Sequence, residues 1–311
     1  MTDYLLHFGL HEPPFARNQH PKWIYLSPRN KEDLLKMRWT LGEHGGLALL
    51  RADVGHGKSS LIEYMMSGWS QYLGWKCAKL QNTGSINSPR ALLTEIMSAF
   101  GLPAASTTRE MVTQLESWLL AQSIAEEPTV LFIDEAQSIG TRTYPILRDL
   151  LNLQTRDKIL LQIVLAGQLE VDKKLKSFPA LRSRIAASMT LEPLSLKEAD
   201  AMLLHRFTVA GAREPYRICP GSASRLLYDL SQGIPRDLIT IADVALKEAF
   251  LRGSPQIAEA HVLTAVRGLA GRQDPVRGSA AESWTDSAAV PMDGRAFAVP
   301  YSVQRATATA A

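Results

Sequence analysis

Cysteine is nearly absent: there are two in 311 residues, Cys77 and Cys219, far apart in the chain. That excludes a disulfide framework and a thiolate zinc site, so both are expected as buried thiols in a reducing cytoplasm. No apolar run approaches the ~20 residues that span a bilayer. The opening Met1-Thr2-Asp3-Tyr4 lacks the basic-then-apolar order of a secretory signal. A cytoplasmic chain without membrane contact is therefore expected. One-sided charge is missing as well, since 34 Lys and Arg face 31 Asp and Glu for a net charge of +3. Such mild basicity permits nucleic-acid contact without demanding it. What remains is ordinary globular composition, 46% hydrophobic and 21% charged, enough for one large or two modest cores.

Against this plain background one stretch stands out. Ala52-Asp53-Val54-Gly55-His56-Gly57-Lys58-Ser59 follows the apolar run Leu47-Ala48-Leu49-Leu50 and precedes Leu61-Ile62-Glu63-Tyr64-Met65-Met66. Strand, glycine loop and helix in that order make a phosphate cradle. Glycines turn backbone N–H groups inward, a lysine adds charge, and a hydroxyl reaches Mg²⁺. Residues Asp53, Val54, Gly55, His56, Gly57, Lys58, Ser59 and Ser60 are expected to hold ATP. The first glycine of the usual pattern is replaced by Ala52, which is tolerable if φ there stays negative.

Thr129-Val130-Leu131-Phe132-Ile133 is a second buried-strand pattern, and it ends in Asp134-Glu135. Asp134, with Ser59, is expected to hold the Mg²⁺ shell, and Glu135 to polarise a water for attack on the γ-phosphate.

Strands are predicted over 47–51, 76–81, 129–134, 159–166 and 187–192, alternating with helices over 59–73, 89–100, 109–124, 143–155 and 168–177. Alternation behind a phosphate loop predicts an α/β, three-layer parallel sheet domain over 41–194. Ser195 and Glu198 read as a capping box opening a small all-helical domain over 195–270, with helices at 195–210, 220–232, 236–252 and 258–269. Residues 1–40 form an N-terminal segment rich in proline and aromatics. From Gly271 the chain reads as a disordered tail in which Trp284, Phe297 and Tyr301 can serve as a docking peptide.

The two nucleotide motifs followed by a helical lid resemble the AAA+ ATPases. Within them, Phe8-Gly9-Leu10, Pro13-Pro14-Phe15 and Tyr25-Leu26-Ser27 resemble the group containing ExeA, TnsC, TniB and MuB. The resemblance places the N-terminal segment beside the adenine. It makes Gln168, after Leu160-Leu161-Gln162-Ile163-Val164-Leu165-Ala166-Gly167, the polar sensor of the γ-phosphate. In Gly233-Ile234-Pro235-Arg236-Asp237 it assigns Arg236 to the nucleotide of its own subunit. It also places an arginine finger in Arg182-Ser183-Arg184, with Arg184 preferred over Arg182, and so implies a homo-oligomer, ring or helical filament, with ATP hydrolysed at subunit interfaces.

Two jobs fit that resemblance. One is an ATP-dependent regulator of DNA transposition, loaded on double-stranded DNA, with transposase and target-selection proteins as partners. The other is an ExeA-like ATPase assisting secretion or pilus assembly at the cell envelope. A replication-initiator or helicase-loader role is a third. The chain shows no membrane span or cell-wall module, which favours transposition as the expectation. In that reading Arg90, Thr107 and Thr108 meet the DNA backbone without reading sequence. Ser88-Pro89-Arg90 and Thr107-Thr108-Arg109-Glu110 are also good helix starts for purely local reasons.

Overall fold

The computed structural model describes residues 3–270, apart from 17, 81, 82, 125 and 126. The expected tail from Gly271, with Trp284, Phe297 and Tyr301, lies outside the described residues.

Strands β1 (Leu47–Ala52), β2 (Lys76–Leu80), β3 (Thr129–Ile133), β4 (Leu161–Gly167) and β5 (Ile185–Leu191) pair in parallel, in the order β2-β3-β4-β1-β5. Their near-continuous apolar sequence has a direct cause: both faces are covered. Leu47 and Leu49 of β1 join one core with Leu131 and Ile133 of β3, beneath helices Pro89–Ala99 and Thr108–Ser123. Ala48 and Leu50 alternate to the other side with Val130 and Phe132, against helix Lys58–Leu73. This is the α/β parallel-sheet P-loop architecture expected from the alternation. β4 lies between β1 and β3, so the two motif strands flank it and all three open toward the same edge.

Helices Leu196–Val209, Gly221–Ser231, Pro235–Leu251 and Glu259–Ala270 follow the sheet. The first starts at the capping box read in the sequence: Ser195 Oγ accepts from Glu198 N, and the Glu198 carboxylate accepts from Ser195 N at 2.8 Å. These helices enclose a core of their own that includes Leu203, Phe207, Leu227, Leu238 and Leu246.

Two segments differ from the sequence expectation. Helix 143–155 stops at Leu150, because Thr155 Oγ1 accepts from the amides of Asp157 and Lys158 and turns the chain into a short bridge, Gln154 to Ile159. A polar side chain bonding its own backbone competes with the helix there. The N-terminal segment carries an unforeseen helix, Pro28–Gly42, whose Met37 and Leu41 pack beside β5 residues Met189 and Leu191. Its start was readable: Ser27 caps it by accepting from Asn30 N, and Pro28 takes the first turn, where a missing N–H costs nothing. Most of the segment's aromatics fill the helical core instead of the sheet core, with Phe8, Phe15 and Trp23 buried there and Phe15 edge-on to Phe207 at 5.2 Å.

Candidate nucleotide site

The phosphate loop leaves β1 at Ala52, which is fully buried and is not among the residues of positive φ, so the alanine is accommodated as required. Gly55 and Gly57 take φ of 88° and 92°. At Gly55 a side chain would also come within 2.9 Å of Ile234, because the lid turn packs directly on the loop. Arg236 N donates to Gly55 O at 3.1 Å.

The charged centre lies at the sheet edge where β1 and β3 end on either side of β4. Lys58, 7% exposed, places Nζ 2.5 Å from Asp134 Oδ1 and also donates to Glu135 Oε1. Ser59 Oγ donates to Asp134 Oδ2 at 2.9 Å. Burial on its own would raise the Asp134 pKa. The Lys58 ammonium, the Ser59 hydroxyl and the Glu135 amide outweigh it and hold the carboxyl below its ordinary value. Burial likewise opposes ionisation of Glu135, and Lys58 with Gln137 overcomes it despite the neighbouring Asp134 charge. Both groups are therefore carboxylates at neutral pH. Asp134 and Ser59 offer two hard oxygens side by side, and among the described residues no cluster of three metal-ligating side chains competes with them. Few protein oxygens plus substrate phosphates is the donor set that suits Mg²⁺.

Glu135 has φ of 51°, unusual for a residue with a Cβ. Gln137, which the sequence reading missed, ties it down. Its Nε2 donates to Glu135 Oε2 at 2.5 Å while its Oε1 accepts from Gln168 N at 3.1 Å. The amide thus links the ends of β3 and β4, and its place two residues after an acidic pair was the available signal. Lys79 was also missed; its Nζ bonds Glu63 at 2.9 Å and stands 4.0 Å from Asp134 Oδ2.

A cleft of about 370 Å³ opens over this centre, lined by the phosphate loop, Glu135, Gln168 and Arg236. A smaller recess of about 90 Å³ adjoins it, walled by Trp23, Tyr25, His56 and Leu191 among others. Asp53, Val54, Gly55, Gly57, Lys58, Ser59 and Ser60 line the first cleft, and His56 the second.

The remaining expected residues lie elsewhere. Arg184, preferred as a finger, is turned onto its own subunit: Nη1 donates to Leu151 O at 3.3 Å and Nη2 to Asn152 Oδ1. A cation there caps the carbonyl end of helix Tyr144–Leu150. Arg182 is exposed and makes no side-chain bond with a described residue. Arg90 and the segment leading into helix Thr108–Ser123 do share one surface, but the Arg90 guanidinium and the Thr107 hydroxyl are engaged there. Arg90 Nη1, at 2.5 Å, donates to Ser106 O, and Thr107 Oγ1 accepts from Glu110 N within a capping box.

Parallel sheet, glycine loop, buried lysine and paired carboxylates at one sheet edge define a P-loop nucleoside triphosphatase. The helical lid packed on the loop makes the fold that of the AAA+ ATPases, and the site is that of an ATPase. Residues 41–175 match the AAA domain family. General secretion pathway protein A of Aeromonas hydrophila is 35% identical over 276 residues, covering 87% of this chain and 49% of that protein. The chain thus spans about half the length of that curated relative. The Aeropyrum pernix ORC2 protein in ADPNP–ADP complexes has a TM-score of 0.60 at 18% identity, over 83% of this chain and 71% of that one. Drosophila ORC bound to DNA gives 0.63 at 16%, over 86% and 66%. At such identities the likeness is one of fold. Among the described residues no helix is long and apolar enough to cross a membrane.

Proposed function

We propose that this ATPase assists assembly of secretion machinery at the cell envelope, in the manner of ExeA, and that hydrolysis occurs between subunits of a homo-oligomer. The observation that carries the reading is the 35% identity to general secretion pathway protein A, which runs through sheet and lid alike over 276 residues. Transposition, the expectation drawn from where the chain stops, loses its footing because the chain spans only about half of that relative. The DNA reading keeps one observation of its own: Arg90 and the Thr107–Thr108 helix start lie on a common surface.

In the proposed mechanism the loop amides and Lys58 take the β- and γ-phosphates, with Ser59 and Asp134 holding Mg²⁺. The metal, when bound, neutralises charge developing on the phosphate oxygens. Lys58 cannot serve phosphate and Glu135 fully at once. As it swings toward phosphate, the depression of the Glu135 pKa is relieved, and the carboxylate gains basicity when a water must be deprotonated. Gln137 holds that carboxylate in place, Gln168 faces the γ-phosphate and the attacking water, and Arg236 reports phosphate to the lid. Arg182 of one subunit reaches the neighbour's γ-phosphate, a contribution of order 10³–10⁵ in rate for such fingers.

Removing the protein from its own cell should block secretion of exported proteins. Wild type should restore it, and Lys58→Ala should not. Normal secretion without the protein, together with ATP-dependent retention of double-stranded DNA that is weakened by Arg90→Ala, would replace this reading with the transposition one. For the oligomer, mixing Arg182→Ala with Glu135→Gln subunits should recover hydrolysis that neither has alone. Arg184→Ala subunits keep both Glu135 and Arg182 and should hydrolyse ATP without a complementing partner; loss of their hydrolysis, regained on mixing with Glu135→Gln, would return the finger to Arg184.

A further inference from the structure

Arg206, on helix Leu196–Val209, is a buried cation without a counter-charge. It is 7% exposed and forms no ion pair with any described residue. Its Nη1 donates to Pro14 O at 3.1 Å, its guanidinium stands 5.8 Å from the Trp23 ring centre, and its Nε has no hydrogen-bond partner among the described residues. Desolvation pushes its pKa down to about 10, so it remains charged at neutral pH. One carbonyl and one ring face are slight compensation, because burying an ion costs several kcal/mol unless an opposite charge meets it. A neutral donor would hold the Pro14 carbonyl as well.

The position of Arg206 indicates what the opposite charge is. It lines both the phosphate cleft and the adjoining recess, together with Asn18, Gln19, Gly57, Ser60 and Pro235. These residues form the neck between the two compartments. The recess side holds a second orphan donor, the Nε1 of Trp23, 2% exposed and unpartnered among the described residues. A nucleotide with its terminal phosphates on the loop and its base in the recess places its ribose and α-phosphate in that neck, and the α-phosphate is the anion of the pair.

We propose that Arg206 is a nucleotide-binding residue that takes the α-phosphate, and that through Pro14 it ties the N-terminal segment and the lid to the loaded nucleotide. This rests on the reading of the cleft as the ATP site. The ligand then supplies the missing counter-charge, and three separate parts of the chain close on it: loop, N-terminal segment and first lid helix.

The test uses the full chain, with calorimetric titration of ADP and adenosine and thermal unfolding without nucleotide. Arg206→Met should weaken ADP about tenfold or more, the worth of a charge-assisted contact. It should leave adenosine unchanged and the ligand-free melting point level or raised. Arg206→Lys keeps the charge but loses the fork, so it should fall between. It decides alone if the methionine variant does not fold: ADP about threefold weaker or more with adenosine unchanged supports the contact, and unaltered ADP affinity removes it. A methionine variant that melts lower yet binds ADP within about twofold of wild type would make Arg206 a strut and overturn the proposal. So would an equal loss for adenosine and ADP. Failure of the wild type to bind ADP would overturn the site reading itself.

Discussion

The two walls of the cleft are built on opposite electrostatic terms. On the sheet side Lys58, Asp134, Glu135, Ser59 and Gln137 satisfy one another, so each buried charge already has its partner. On the lid side Arg206 is buried and unpaired, and Arg236 is exposed with its side chain free among the described residues. The first wall is complete in the folded chain, and a ligand must break into it. The second is incomplete, and a ligand completes it. A nucleotide therefore weakens one set of contacts while supplying another, which is how a site can bind firmly and still change the surrounding structure.

This contrast can be broken by mutation. The largest effect should come from Glu135→Gln, which ought to lower kcat by roughly 10²–10⁴ while ATP still binds, as expected when a general base is lost. Hydrolysis at the wild-type rate, read as phosphate release, would remove Glu135 from its role. Next comes folding stability without nucleotide. Lys58→Met strands two carboxylates, one of them buried, and should cost roughly 3–5 kcal/mol by denaturant unfolding. Arg206→Met should cost little by the same measurement. Equal losses in the two variants would mean that the walls do not differ.

The smallest effect is one of pH. Asp134 and Glu135 titrate below their ordinary values in the fold, so their stabilisation is full above the unfolded carboxylate range, ~4, and is lost as pH falls through the lower folded values. Denaturant midpoints of wild type should drop more steeply below pH ~4 than those of Asp134→Asn. Parallel curves would show that the sheet wall holds no pH-linked stability.

The same contrast decided what the sequence revealed. The sheet wall is encoded by contiguous stretches, Gly55 to Ser59 and Thr129 to Glu135, because a strand tip and its following loop are neighbours in sequence and in space. The lid wall is assembled from distant pieces. Arg206 sits in the last turn of its helix, where a cation is ordinary, and nothing local separates it from a surface arginine. Its burial arises only when Phe15 and Trp23, far away in the chain, pack into the helical core. Gln137 was closer to legible, lying two residues past the acidic pair, but its partner Gln168 is contributed by another strand. Arg182 and Arg184 show the limit from the other side: they lie two residues apart in sequence, and only the fold reveals that the loop at Leu151–Asn152 engages Arg184.

The lid turn is held at both ends. Leu194 N donates to Gly233 O at 2.9 Å, and a Cβ on Gly233 would lie 2.1 Å from Leu194 O, so the turn is locked against the junction between sheet and lid. A few residues on, Arg236 N donates to Gly55 O at 3.1 Å. Junction, turn and phosphate loop are thus geared through single backbone bonds. The lid cannot swing away from the loop without releasing the Arg236 amide. That one proton is accordingly a local clock: its exchange with deuterated solvent should be slow whenever lid and loop are engaged and fast when they part, whatever the rest of the chain is doing.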